Sequence, residues 1–115
     1  MHELSIALSM IEGVLEESRK RGGVKVEAVH LKLGVFSGVD QQALTFSYGL
    51  ACEGTQLEGS QLVIEKVPLL IYCPLCATER AAQSEQQLSC SICSTSAESI
   101  VQGQELEITA LEIAA

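Results

Sequence analysis

The chain has few aromatic residues and few basic ones. Tryptophan is absent, and Phe, Tyr and Trp together make up only 3% of the 115 residues. A folded core must therefore be aliphatic, built from Leu, Ile, Val and Ala. Seven Lys and Arg stand against fifteen Asp and Glu, which gives a formal net charge of −8. Because nucleic-acid binding requires clustered cations that neutralise phosphates, this balance argues against a nucleic-acid partner.

Long apolar runs are absent as well. No charge-free stretch approaches the roughly 20 residues that cross a bilayer, so no membrane span is predicted. The apolar N-terminal segment lacks the Lys or Arg of a secretory signal, since its early charges are Glu3 and Glu12. We therefore expect a cytoplasmic protein. A hydrophobic fraction of 47% excludes global disorder, and the length suits one domain or one domain with a small insertion.

Hydrophobic periodicity predicts two amphipathic helices. The first begins near Leu4 and ends at Gly22-Gly23, since glycine commonly terminates a helix. The second begins after Asp40, a suitable N-cap, and continues through Cys52. The expected inward-facing residues of the first helix are Leu4, Ala7, Leu8, Ile11, Val14, Leu15 and Ser18. Those of the second are Ala43, Leu44, Phe46, Ser47, Leu50 and Ala51.

Three segments have the composition or alternation typical of strands, at residues 24–33, 62–67 and 105–110. In the first, branched residues occur at both parities, so either this strand is covered on both sides near its start or it contains a bulge. The last alternates cleanly between apolar and polar residues, as a strand with one solvated face does. We expect it to return to the sheet formed by the other two.

Residues 73–103 are mostly small and polar, with little helical or strand periodicity. Such a segment cannot fold on its own apolar burial, and it coincides with four of the five cysteines. We therefore predict an α+β fold in which two helices pack on a small three-stranded sheet. Residues 1–70 and 104–115 are predicted to form this domain. Residues 71–103 are predicted to form an inserted, zinc-ribbon-like module with four cysteines.

The four cysteines form two C-x-x-C knuckles, Cys73-Pro-Leu-Cys76 and Cys90-Ser-Ile-Cys93, separated by thirteen residues. In a chain without a secretory signal, this spacing indicates a metal site and not disulfides. Four thiolates in a tetrahedron suit zinc, with iron second. They leave no coordination position open to a substrate, so the zinc is expected to be structural. The acidity of this segment also argues against a nucleic-acid-binding ribbon.

The fifth cysteine and one of the two histidines have no evident metal partners. Cys52 is expected to be a buried residue of the second helix, because no nearby cation or base in the sequence would activate its thiol. His30 lies in the middle of a strand, between Val29 and Leu31, and its position requires no metal role.

The segment Met1-His2-Glu3 precedes the first helix. On local grounds, His2 is a frayed polar residue and Glu3 interacts with the helix dipole. The same segment also places three nitrogens close together, namely the terminal amine, the backbone nitrogen of His2 and its imidazole. Nickel(II) accepts nitrogen donors in square-planar geometry, so this end of the chain has the chemistry to chelate it.

Several features together resemble the HypA/HybF family of hydrogenase maturation nickel metallochaperones, and the resemblance covers nearly the whole chain in the same order. They are the Met-His-Glu-Leu-Ser start, the amphipathic first helix, the segment Gly54-Thr55…Leu57-Glu58-Gly59…Leu62-Val63-Ile64 and the two C-x-x-C knuckles. The Met-His-Glu start combined with two downstream knuckles is more specific than either feature alone.

The resemblance implies a small α/β nickel-binding domain with a zinc domain inserted before the final strand. The implied ligands of a transient nickel(II) ion are the Met1 amine, His2 and Glu3, the last through its backbone or side chain. The implied ligands of a structural zinc are Cys73, Cys76, Cys90 and Cys93. Family members deliver nickel to the large subunit of nickel–iron (NiFe) hydrogenase, together with the HypB-type GTPase accessory protein. Some also serve the urease accessory machinery.

Two other functions stand beside the nickel metallochaperone. One is an adaptor whose zinc ribbon docks partner proteins and transfers no nickel. The other is a hydrolytic zinc enzyme, which is the weakest interpretation. The knuckles use all the zinc ligands, and with only two histidines no Ser/His/Asp or Cys/His constellation is evident. The sequence therefore predicts a binding protein and not an enzyme.

Overall fold

The computed structural model describes residues 2–114 and divides the chain into two compact units. The first, here called the helical unit, comprises Met1–Lys32, Val39–Glu65 and Glu107–Ala115. The second, here called the cysteine unit, comprises Leu33–Gly38 and Lys66–Leu106. The sequence did not predict that the loop before the second helix belongs to the cysteine unit. The domain division at residues 71–103 stays a prediction, because compactness alone does not show which segment folds around a metal.

Both predicted helices are present. Helix α1 spans Glu3–Lys20, and helix α2 spans Gln41–Cys52. The Asp40 carboxylate accepts a hydrogen bond of 2.8 Å from a backbone N–H in the first turn of α2, which confirms Asp40 as the N-cap. Just beyond α1, Gly22 has a φ of 84°, a left-handed conformation that glycine adopts without strain and that ends the helix.

The predicted inward faces of the two helices were wrong at four positions. On α1, Leu4 and Leu8 are 48% and 49% exposed. On α2, Phe46 is 69% and Leu50 46% exposed, whereas Tyr48, which was not predicted, is buried. The sheet and the neighbouring helix cover a narrower arc of each helix than its apolar residues occupy. An apolar residue outside that arc stays in contact with water, as many do on folded proteins.

Six strands follow in chain order: β1 Val26–Gly34, β2 Gln61–Val67, β3 Leu70–Cys73, β4 Thr78–Ala81, β5 Ser99–Gln102 and β6 Leu106–Ile113. They form one three-stranded sheet of order β2-β1-β6 and another of order β4-β3-β5. The final strand therefore joins the first sheet, as predicted. In the central strand β1, the adjacent residues Ala28 and Val29 are both buried, so this strand is covered on both faces at that point.

The core of the helical unit is aliphatic apart from one tyrosine and one cysteine, as the composition predicted. Its buried residues come from α1, β1, α2 and the loop after α2: Ala7, Ile11, Val14, Val26, Val29, Leu31, Leu44, Tyr48, Ala51, Cys52 and Leu57. Two helices thus pack on a three-stranded sheet, which confirms the predicted α+β class. Within residues 2–114, no helix is both long enough and apolar enough to cross a membrane.

Two substitutions on α2 test which of its faces supports the core. Leu44 is fully buried and Phe46 is 69% exposed. We expect Leu44→Ala to lower the free energy of unfolding by about 2–5 kcal/mol, because it removes apolar contacts and leaves a cavity. Phe46→Ala should change it by no more than about 0.5 kcal/mol. Urea unfolding followed by circular dichroism measures both. A larger loss for the Phe46 variant would contradict this orientation of α2.

The cysteine unit contains a sheet that the sequence did not predict. Its strands β3, β4 and β5 have four residues each, which is too short for alternation to stand out in a sequence. The end of β1 and the loop that follows it, residues 33–38, join this unit through backbone hydrogen bonds. Gly34 donates a hydrogen bond of 2.8 Å to the Glu105 carbonyl, and Phe36 donates one of 2.7 Å to the Gly103 carbonyl. Glycine is required at position 34, since a Cβ there would collide with the backbone of Gly103.

Candidate metal sites

The four knuckle cysteines converge on one point. Their Sγ atoms all lie within 4.8 Å of one another, and within residues 2–114 no other three or more His, Cys, Asp or Glu residues bring ligand atoms together in this way. The sulfurs of Cys73 and Cys93 are 3.5 Å apart, and Cys76 lies 3.7 Å from Cys93 and 4.0 Å from Cys90. Four sulfurs held about 2.3 Å from a tetrahedral centre are about 3.8 Å apart, so this donor set fits zinc.

The two knuckles share a backbone turn. In each, the residue after the second cysteine is left-handed, with a φ of 55° at Ala77 and 66° at Ser94. This conformation costs a residue other than glycine roughly 1–2 kcal/mol, so the surrounding structure must hold it. The first cysteine of each knuckle is fixed by strand pairing. Cys73 is the last residue of β3, and Cys90 forms an isolated bridge with Ala82.

A backbone N–H supports the first sulfur of each knuckle. The Cys76 N–H donates to Cys73 Sγ at 3.3 Å, and the Ile92 N–H donates to Cys90 Sγ, also at 3.3 Å. Hydrogen bonds of this kind stabilise a thiolate against its protonated form and orient it toward a metal. The knuckle turn therefore positions the first sulfur and also supplies its hydrogen-bond donor.

Cys93 receives its support from Thr95. The two side chains are 3.1 Å apart, from Sγ to Oγ1. Hydrogen bonds from the Thr95 hydroxyl and backbone N–H lower the pKa of Cys93 to about 6. At neutral pH this sulfur is therefore a thiolate, the form that binds metals.

Cys76 differs from the other three sulfurs. A hydrogen bond from Arg80 favours its thiolate, but the neighbouring sulfurs of Cys93 and Cys73 and the effect of burial outweigh it and raise the pKa of Cys76 to about 11. In the absence of a metal, this cluster therefore holds both a thiolate and a protonated thiol, because adjacent negative charges repel. A divalent cation takes the place of the remaining protons. Four thiolates around one zinc leave no position open, so such a site is structural.

At the N-terminus, the structure describes two of the three predicted nickel residues, since Met1 lies outside the described range. His2 is exposed and occupies the N-cap position of α1, where its carbonyl accepts a hydrogen bond of 2.9 Å from the Ile6 N–H. Its side chain makes no cap hydrogen bond. The imidazole thus projects from a fixed backbone and is accessible to a solvated metal ion.

Glu3 lies in the first turn of α1, as local reasoning suggested, but its side chain has a further role. It is only 6% exposed, and its Oε2 accepts a hydrogen bond of 3.0 Å from the Asp40 N–H. This bond joins the first residue of α1 to the residue that caps α2. The backbone next to His2 is therefore tied to the second helix. The sequence offered no signal for this contact, because it joins residues 37 positions apart.

Cys52 is buried on α2, as the sequence predicted, whereas the interaction made by His30 was not predicted. Cys52 is 2% exposed, and burial raises the pKa of its thiol beside the hydroxyls of Tyr48 and Ser60. Its reactivity is correspondingly low. His30 Nε2 lies 2.5 Å from the Glu112 carboxylate, so this histidine bridges β1 and β6.

Comparison with known proteins identifies the family of this chain. The family model described as "Hydrogenase/urease nickel incorporation, metallochaperone, hypA" matches residues 1–113. Hydrogenase maturation factor HypA of Roseiflexus sp. (strain RS-1) is 46% identical over 112 residues, which cover 97% of this chain and 91% of that protein. The factor of the same name from Chloroflexus aurantiacus is 40% identical over 112 residues, covering 97% and 98% of the two chains.

The fold is also shared with a solved structure. The solution structure of the Ni metallochaperone HypA from Helicobacter pylori superposes with a TM-score of 0.68 at 24% identity, covering 100% of this chain and 99% of that one. The family match spans almost the full length and includes the Met-His-Glu start and both knuckles. The chain therefore belongs to the HypA family of nickel metallochaperones, which incorporate nickel during hydrogenase maturation.

Proposed function

We propose that this chain carries nickel(II) at its N-terminus and releases it to the hydrogenase maturation machinery. The observation that supports this most directly is the contrast between His2 and Glu3. The His2 imidazole is free in solvent, whereas the adjacent Glu3 side chain is buried and bonded to Asp40. In a chelating segment of this kind, the Glu3 side chain holds the backbone in place while the His2 imidazole stays accessible to solvent. It can take up an ion from solution and pass it to another protein.

The proposed nickel ligands are nitrogens of the Met1 amine and His2, assisted by Glu3. Nickel(II) favours nitrogen donors in a square-planar arrangement, and consecutive residues at a chain terminus supply such donors at suitable spacing. Because the Glu3 carboxylate already accepts a hydrogen bond from Asp40, its backbone nitrogen is the better candidate ligand. The carboxylate then acts by holding the segment in place and by placing negative charge near a bound cation.

The proposed zinc ligands are Cys73, Cys76, Cys90 and Cys93. The spacing of their sulfurs and the hydrogen bonds that reach them support a permanent, closed site. This zinc would stabilise the cysteine unit and take no part in exchange with substrate. Neither site has the acid, base or nucleophile arrangement that turnover requires, so the proposed function is transfer and not catalysis.

The proposed partners are a HypB-type GTPase accessory protein and the large subunit of NiFe hydrogenase, with urease accessory proteins as additional recipients. A net charge of −8 favours partners with basic docking faces. We also propose that the protein works in the cytoplasm, because all five cysteines are free and clustered thiols persist in a reducing compartment.

One observation favours the alternative of a docking adaptor. The middle of each knuckle presents a large apolar side chain to solvent, Leu75 at 72% exposure and Ile92 at 71%. Exposed aliphatic residues on adjacent turns are typical of protein contact surfaces. Such a surface is compatible with nickel transfer, but on its own it would require no metal at the N-terminus.

A complementation experiment separates the two functions. In a cell that lacks its own HypA-family protein, hydrogenase activity at low nickel should be restored by the wild-type chain and by His30→Ala. His2→Ala should give no more activity than the empty vector, and added nickel should partly restore it. If His2→Ala complements fully while Leu75→Ser and Ile92→Ser do not, the adaptor function is correct and the nickel function is wrong.

A further inference from the structure

Arg80 is the only Lys or Arg among residues 73–103, a segment that also contains Glu79, Glu85 and Glu98. It lies in β4, opposite Ile71 of β3. Residues directly opposite in an antiparallel pair point to the same face, and so do residues two apart on one strand. Arg80 therefore shares a face with Ile71 and with Cys73, both of which are fully buried. A cation on the inward face of a small unit requires a compensating negative charge.

Part of the Arg80 side chain is buried and has no oxygen or nitrogen acceptor among the described residues. Its Nε atom is inaccessible to solvent, and within residues 2–114 it has no hydrogen-bond partner of that kind. The positive charge of the guanidinium interacts with the Cys76 sulfur and, more weakly, with the sulfurs of Cys90 and Cys73. The negative charge that compensates this guanidinium therefore comes from the cysteine sulfurs.

The other three sulfurs already have donors of their own. Cys73 and Cys90 accept from backbone N–H groups, and Cys93 is supported by Thr95. Cys76 is only half-buried, and of the four sulfurs it interacts most strongly with the charge of Arg80. The donors to the other three sulfurs are thus uncharged, whereas the group beside Cys76 is a charged guanidinium. A hydrogen bond from a charged donor is about twice as strong as one between neutral groups.

We propose that Arg80 is a positioning residue of the zinc site, which holds the Cys76 thiolate on the metal and offsets part of the negative charge of the four thiolates. This inference rests on the proposed zinc ligands. A zinc ion with four thiolates carries two net negative charges, and the guanidinium neutralises one of them inside the unit. Without Arg80, Cys76 is the sulfur that dissociates first, because it is more exposed than Cys73 and Cys90 and has no other donor of this strength.

The test uses the zinc-loaded full-length chain and three variants. Arg80→Met keeps the length of the apolar stem but removes the charge and the donors. Arg80→Lys keeps the charge without the planar, branched donor group. Glu79→Gln is the matched control, since Glu79 is the exposed neighbour that faces the other side of β4, opposite Tyr72. Transfer of zinc to a colorimetric chelator is measured together with alkylation of each cysteine by iodoacetamide, mapped by mass spectrometry.

We expect Arg80→Met to weaken zinc binding about 10- to 100-fold, as loss of an outer hydrogen-bond partner of a metal ligand typically does. Cys76 should be alkylated before the other three cysteines. Arg80→Lys should fall between this variant and the wild type, and Glu79→Gln should match the wild type. Equal zinc release from wild type and Arg80→Met overturns the proposal. So does faster release in which all four cysteines are alkylated at the same rate, because that pattern reports general unfolding.

The same measurements distinguish this proposal from the assignment on which it rests. If the wild-type chain binds zinc at the four cysteines but its retention does not depend on Arg80, only the role of Arg80 is wrong. If the wild-type chain retains no zinc, the proposed ligands are wrong and the role of Arg80 fails with them. Should Arg80→Met not fold, Arg80→Lys still tests the proposal, because loss of zinc that begins at Cys76 supports it and wild-type retention contradicts it.

Discussion

Replacing Cys90 with serine should remove zinc from the protein and unfold the cysteine unit while the helical unit stays folded. Structural zinc sites in small peptides contribute roughly 10–16 kcal/mol of binding free energy, and this energy is also folding energy. Cys90 is fully buried and lies at a strand bridge, so its loss removes a ligand that no exposed group can replace. The fully buried apolar residues of the unit are few, Leu33 and Ile71 among them, too few to compensate.

This prediction is checked by zinc content and by two-dimensional NMR. Zinc should fall from about one per chain to nearly none, and the amide resonances of β3, β4 and β5 should collapse to random-coil positions. The resonances of α1 and α2 should be retained. Cys52→Ala is the matched control, because it removes the one thiol outside the cluster and should leave zinc content unchanged. A Cys90→Ser protein that keeps a full equivalent of zinc would show that the metal is bound elsewhere.

The second large effect is expected at the N-terminus. His2→Ala should abolish stoichiometric nickel binding, because it removes the imidazole from a site composed of a few adjacent nitrogens. His30→Ala, which changes the only other histidine, should bind nickel as the wild type does. A single glycine added before Met1 should be as damaging as His2→Ala, since it moves the free amine away from the imidazole. Isothermal titration with nickel on tag-free protein measures all four chains.

The pH dependence of nickel binding follows from the same ligands. Imidazole and amine nitrogens bind a metal only when they have lost their protons, so protons compete with nickel as the pH falls. We therefore expect nickel to dissociate as the pH falls through about 6. Zinc should remain bound at that pH. Nickel affinity that is constant between about pH 8 and pH 5 would rule out nitrogen ligation.

The elements with long periodic patterns were predictable from the sequence. Helix α1, strand β1 and helix α2 follow from residue spacing, and Asp40 was identifiable as a cap because its side chain acts within one turn. The convergence of the four cysteines was also predictable, since two C-x-x-C pairs at this spacing are typical of a metal site. In each case the sequence signal either lies within a few residues of the predicted feature or is a cysteine spacing that is typical of metal binding.

What the sequence did not reveal depends on contacts between distant residues. The short strands β3, β4 and β5 are held by cross-strand pairing beside the four clustered cysteines, not by strong local preference. Burial of Glu3 depends on the N–H of Asp40, and exposure of Phe46 depends on which arc of α2 the sheet covers. Arg80 did have a signal, as the single cation in an acidic segment, but only the strand register shows that it faces the sulfurs.

The two knuckles are expected to form at different rates, because different lengths of chain must come together around each of them. The first knuckle closes the β3–β4 hairpin, whose contacts are all local and form rapidly. The second must be brought across the intervening segment of thirteen residues before its thiolates arrive. Zinc binding during folding would therefore begin at Cys73 and Cys76, and cellular chelators would still compete while only these two sulfurs held the ion. Arrival of Cys90 and Cys93 would complete the site, and mutations that slow it would lower zinc loading during synthesis even if the final affinity were unchanged.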